Sequence, residues 1–162
     1  MDRVELETKL NDGRNWLLAR YQGLSEEELR RPLIKSEHDS QNQWSALDHF
    51  AHLALVERNF NAMVKRHFAG NSNPVGFMID DQGKTRTREE ITADVHADTE
   101  KWRVTRRDDS SEEVLALTAA ARGATLQLMA ELNDTQLVEI LPKAPWADGA
   151  IAGVLGANAD HG

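Results

Sequence analysis

The sequence predicts an all-α fold, a four-helix bundle with one long crossover, and three observations carry that expectation. Apolar residues recur at three- and four-residue steps through most of the 162 residues. A capping pattern stands ahead of three periodic stretches, at Ser45-x-x-Asp48, Thr87-x-x-Glu90 and Ser110-x-x-Glu113. No alternating stretch is long enough to build a sheet, and there are no internal repeats. The length suits one domain with a substantial core, so residues 1–162 are read as a single unit.

The elements follow in order. Leu6, Leu10, Leu17 and Tyr21 fall at helical spacing and predict a first helix over residues 2–22, stopped by Gly23. Residues 24–32 (LSEEELRRP) hold a short turn of helix closed by Pro32, and the polar stretch 33–43 reads as loop. The second helix opens at Ser45 and runs to about residue 69. It gathers Phe50, Leu53, Val56, Phe60, Met63, Val64 and Phe68 on one broad face, with Arg58 and Lys65 opposite. Residues 70–83 are rich in turn formers. Thr87 then opens a third helix with a thin stripe of Ile91, Val95 and Trp102, which frays over residues 103–109. Ser110 opens a fourth, with Val114, Leu117, Ala121, Leu128 and Leu132 on one side. Residues 133–149 are a connector, and a last helix starting near Gly149 is expected to run on to the end of the sequence. About forty residues separate the second and fourth helices, which allows them to run parallel. The bundle is therefore helices one, two, four and five, with the third inside the crossover.

Composition removes several classes of function. There is no cysteine, which excludes disulfide scaffolds, zinc ribbons, thioredoxin-type redox chemistry and cysteine nucleophiles. With 19 Lys+Arg against 27 Asp+Glu, the formal charge of -8 argues against nucleic-acid binding. No stretch approaches the ~20 apolar residues of a membrane span. The first residues, MDRVELETKL, lack the apolar centre of a secretory signal, so a cytoplasmic location is expected.

Six histidines are the candidate chemistry: His38, His49, His52, His67, His96 and His161. On the second helix His52 sits at the flank of the apolar face, while His49 and His67 point slightly deeper. A single histidine at such a position is ordinarily a satisfied boundary residue. His38 and His96 lie in polar surroundings and are expected to face solvent. The last helix raises the odds for one of the six. Ile151, Val154, Leu155, Asn158 and His161 follow at three- and four-residue steps, so His161 continues a buried face. A buried imidazole needs a partner, and a metal shared with a second-helix histidine would supply it.

The stretch Trp44-Ser45-Ala46-Leu47-Asp48-His49-Phe50-Ala51-His52-Leu53, followed by Glu57, resembles the second-helix signature of the DinB-like superfamily of small metal-binding bundles. LSEEELRRP before it is similar to that family's connector. Leu132–Leu141, Pro145-Trp146-Ala147-Asp148-Gly149 and Asn158-Ala159-Asp160-His161-Gly162 resemble its approach to the last helix. The resemblance spans most of the chain. It implies a four-helix bundle holding one divalent metal (nickel, zinc or iron) on three histidines. One ligand falls on His52 rather than His49, by its distance from Trp44. The first of an H-x-x-x-H pair falls on His161, and the second lies past Gly162. Residues four apart share one helix face, so two imidazoles reach one ion and a third from a neighbouring helix leaves a position open.

Other side chains have plainer expectations. Asp48 is the partner of the Ser45 cap, with orientation of His52 as its alternative role. Glu57 and Asp160 are expected on solvated helix faces, with action as a general base as the alternative. Trp44 and Trp146 read as packing anchors. Arg103, Arg106 and Arg107, followed by Asp108 and Asp109, read as a neutralised helix end. Two functions stay open. The resemblance implies a metal-dependent transferase or hydrolase acting on a small molecule, with a low-molecular-weight thiol from outside because the chain has none. The other is a non-catalytic bundle that binds a small molecule or forms a homodimer. No catalytic residue is singled out.

Overall fold

The computed structural model describes residues 1–32, 34–35, 43–80 and 82–161, excepting the side chains of Ile34, Lys35 and His161. Helix dominates. α1 (Arg3–Tyr21) starts at Asp2, and the short α2 (Glu26–Arg30) at Ser25. α3 (Ala46–Phe68), α4 (Arg88–Thr105) and α5 (Ser111–Glu131) start at Ser45, Thr87 and Ser110. At all five starts the cap side chain accepts from the backbone N–H three residues on. The acid at that position reaches back to the N–H of the cap. Each box satisfies two donors that the first turn leaves orphaned.

Three local expectations are corrected. Within the stretch read as loop, β1 (Ile34–Lys35) pairs antiparallel with β2 (Gln43–Trp44), a two-residue ladder. The expected connector contains a further short helix, α6 (Asp134–Leu137), opened by Asn133 with Gln136 as its reciprocal partner. Asn-x-x-Gln is the amide form of the same capping signal. The last helix is not uniform: α7 (Ile151–Gly156) tightens into a 3-10 segment, Ala157–His161. Gly153 and Gly156 are each about 1 kcal/mol poorer than Ala in a helix, which leaves this element weakly committed to α geometry.

Side-chain bonds give the relative directions of the long helices. Glu57 meets Arg122 and Asn61 meets Thr125, so α3 and α5 run parallel. Arg14 reaches the Thr118 carbonyl, Arg122 the Leu10 carbonyl and Arg3 the Met129 and Leu132 carbonyls, so α1 runs antiparallel to α5. Asp48 faces Arg103 and the Ala51 carbonyl accepts from Trp102, which sets the end of α4 against the start of α3. The final segment follows α1. A Cβ on Gly156 would stand 3.2 Å from Leu6, and one on Gly13 3.3 Å from Ala159, so bare glycines permit that close approach.

Among the described residues apolar packing forms two clusters. One joins Leu6, Leu10, Phe60, Val64, Leu128 and Ile151, and the other Leu17, Leu47, Phe50 and Val114. The expected face of α5 is buried at Val114, Ala121, Leu128 and Leu132, and it is wider than expected. Leu117 is only half-buried, whereas Thr118, Arg122 and Thr125 are buried. No helix among the described residues is long and apolar enough to cross a membrane.

The caps carry a pH prediction. Hydrogen bonds from the cap residues hold Glu28, Glu90 and Glu113 below the ordinary glutamate value of 4.5. A depressed folded value means the contribution is fully present above that ordinary value and is lost as the pH falls through the lower one. Glu113→Gln keeps the cap geometry and removes one titrating group. The fall in Tm between neutral and acidic buffer is therefore expected to be smaller for this variant than for the parent chain. An equal or larger fall would show that the cap carboxylate contributes nothing to acid sensitivity.

Candidate functional site

Two groups of polar and aromatic side chains lie along α3, on different sides of the helix. The first is a buried polar layer between α1, α3 and α5. Arg122 donates from Nε to Glu57 Oε1 at 2.6 Å, and a second nitrogen donates to the Leu10 carbonyl. Both side chains are almost fully buried, at 9% and 6% exposure. Four residues along α3, Asn61 Nδ2 donates to Thr125 Oγ1 at 2.9 Å. Burial, then Arg122, pulls Arg14 below the ordinary arginine value, with Glu57 acting in the opposite sense. A small cavity of about 40 Å³ adjoins these charges and is also lined by Asn158, whose Oδ1 is buried with no hydrogen-bond partner among the described residues. This corrects the expectation of a solvated Glu57. Glu57 and Asn61, four apart, share a helix face and interrupt the apolar run, and that spacing was the available signal.

The second site is a pocket of about 180 Å³ between α3, α4 and the segments around Phe77 and Trp146. His52 lines it. Its half-buried ring tilts against that of Trp44, 5.2 Å between centroids. Trp146 meets Phe60 and Phe77 edge-on, at 4.8 and 5.7 Å, and so forms the aromatic side of the pocket. Val56 and Met63 add aliphatic surface, while Asn59, Asp98 and Thr99 bring polar groups. Sequence reading placed Trp146 as an anchor; it is also a pocket wall.

The remaining candidates separate. His161 ends the 3-10 segment, which packs against α1 and α3, and its side chain lies outside the described residues. His38 also lies outside them. His49 and His96 are half-buried, so His96 is more sheltered than expected, and His67 Nε2 stands 3.5 Å from Glu139. Asp48 accepts from the Ser45 N–H at 2.8 Å and so completes the cap. Asp160 forms an exposed pair with Lys9 at 2.9 Å. Among the described residues no three histidine or carboxylate side chains converge as metal ligands. The basic cluster is largely paired: Arg103 with Glu100 and Asp48, Arg106 with Asp109. Trp102 lies between Arg58 and Arg106, at 5.0 and 4.7 Å.

A family model described as the DinB superfamily matches residues 9–162, nearly the whole chain. The chain belongs to the DinB superfamily. No curated protein and no solved structure matches it. For this DinB-superfamily chain, family membership agrees with the resemblance drawn from residues 24–32, Trp44–Leu53 and the stretches between Leu132 and Gly162.

Proposed function

We propose that this DinB-superfamily protein is a four-helix bundle that binds one divalent metal at His52 and His161 and acts on a small molecule as a metal-dependent transferase or hydrolase. In this reading α1, α3, α5 and the final segment are the bundle helices, and α4 lies in the crossover. The observation that carries the site is the register of the final segment on α3. Asn158 lines the same cavity as Leu53, Ala54 and Glu57. The final segment runs with α1, hence against α3. Three residues of 3-10 helix advance about 6 Å, four residues of α-helix. Position 161 then falls level, along the axis, with the turn of α3 that holds His49, His52 and Leu53; the choice of His52, which lines the pocket on another side of α3, comes from the family resemblance.

The donor set suits nickel, zinc or iron, because imidazoles are ordinary ligands for borderline ions. Glu57, the nearest buried carboxylate, is held by Arg122 and is not offered as a ligand. Held by His52 and His161, a divalent ion would lower the pKa of a thiol or a water and so would supply a nucleophile at neutral pH. The chain's own part is to fix the His52 ring against Trp44 and to shape the apolar pocket beside it.

Metal content decides the proposal. The full-length polypeptide, supplemented with nickel, zinc or iron, is expected to retain close to one equivalent. His52→Ala and His161→Ala are each expected to lose most of it while keeping the parent helical content. Retention below about a tenth of an equivalent in the parent chain would end the metal reading. The same protein would then be read as a small-molecule binding bundle, on the strength of the pocket alone.

A further inference from the structure

We infer that the pocket lined by His52 is a binding site for a small aromatic molecule of one or two rings carrying a hydroxyl or ring N–H, of the size of phenol or indole. This deepens the proposed function by naming a substrate class. It rests on that function only for the claim that the molecule is a substrate; the binding itself stands on the pocket.

Size, wall chemistry and one pocket-lining hydroxyl point the same way. The pocket measures about 180 Å³. An apolar cavity of roughly 150 Å³ accommodates a benzene ring, so a molecule of one or two rings finds room here. Phe77 and Phe60 both meet Trp146 edge-on, which holds the indole in place as a flat wall. Aromatic rings prefer offset or edge-on partners at such separations, and an inserted ring would extend that pattern. Val56 and Met63 cover part of the remaining surface. The polar feature is Thr99. It is only 4% exposed and lines the pocket, yet its hydroxyl makes no hydrogen bond among the described residues. A pocket-lining hydroxyl that bonds to no other side chain is open to a ligand hydroxyl or N–H. Asp98 and Asn59 stand exposed at the rim, where a polar substituent faces solvent.

The test compares phenol, indole, toluene and cyclohexanol by titration calorimetry on the intact chain, with and without a chelator. Phenol and indole are expected to saturate one site with Kd below about 1 mM, and cyclohexanol to bind more weakly. Thr99→Val removes the hydroxyl at nearly constant volume. It is expected to weaken phenol about fivefold and leave toluene unchanged. Val56→Phe fills the pocket and is expected to abolish both; if it fails to fold, Thr99→Val still discriminates. Absence of saturable phenol and indole binding overturns the inference. So does equal binding of cyclohexanol and phenol, or a Thr99→Val effect as large for toluene as for phenol. Binding that persists in chelator while metal content fails the earlier test would retain this site and remove the metal reading.

Discussion

Arg122→Ala is expected to destabilise the protein by about 3–5 kcal/mol, the cost of leaving a buried carboxylate without its partner. The argument rests on geometry. Glu57 is 5% exposed and Arg122 8%, and their closest atoms are 2.6 Å apart. Arg122 also satisfies the Leu10 carbonyl, so its loss strips two acceptors on two different helices. Arg14 does not replace it. That side chain is committed to the Thr118 carbonyl at 2.8 Å, and burial already weakens its hold on a proton. Removing the carboxylate as well gives the opposite outcome. Glu57→Leu combined with Arg122→Met replaces the ion pair by apolar volume, and such replacements are neutral or stabilising. The double variant is therefore expected within about 1 kcal/mol of the parent chain, far above the single variant. Urea unfolding of parent, single and double variants measures the coupling directly. A single-variant loss below about 1 kcal/mol would show that the layer is hydrated and the pair unimportant.

That layer also marks where sequence reading stops. The helix starts were legible because their signal is local. Ser45, Thr87 and Ser110 each find their partner three residues away, whatever the rest of the chain does. The apolar face of α3 was legible for the same reason, since periodicity is a property of one helix. Glu57 and Arg122 are 65 residues apart, and their meeting depends on α3 and α5 running parallel in one register. Nothing within either segment states that register. A lone glutamate among apolar residues is more often at a solvated edge, and only the partner helix overturns that prior. Thr118 and Thr125 were lost in the same way, as polar residues on a strip that had been defined by its leucines. His52 was readable as the flank of a helix face. That the flank opens on a pocket walled by Trp146 required the fold of residues 133–149, where positive φ values at Lys143 and Ala147 set turns that the sequence does not announce. Both are non-glycine residues in the left-handed region, which is uncommon.

Phe60→Ala is the other change with a large expected effect, and it joins stability to the candidate site. Phe60 is 3% exposed and lies in the larger apolar cluster with Met63, Val64 and Leu128. It is also the inner support of Trp146, 4.8 Å away and edge-on. Truncation removes a full ring from the core, which typically costs about 3–5 kcal/mol through lost transfer energy and the void left behind. For a chain of this size that corresponds to a Tm lower by roughly 10 °C or more. The void opens onto the pocket rather than sealing inside the protein, so water entering from that side sets the cost toward the lower end. Phe77→Ala is the comparison. Phe77 is partly buried and touches Trp146 from the outer side at 5.7 Å, so its loss is expected to cost distinctly less. Phe60→Leu keeps most of the volume and is expected to recover the greater part of the stability. Thermal and urea unfolding of the three variants give the order directly. If Phe60→Ala and Phe77→Ala cost the same, Trp146 is not held from within. The pocket would then be a surface groove whose shape follows its outer wall. If the expected order holds, the wall facing His52 is part of the core. Phe60→Ala should then weaken phenol binding more than Phe77→Ala does, because it frees the ring that the ligand stacks against.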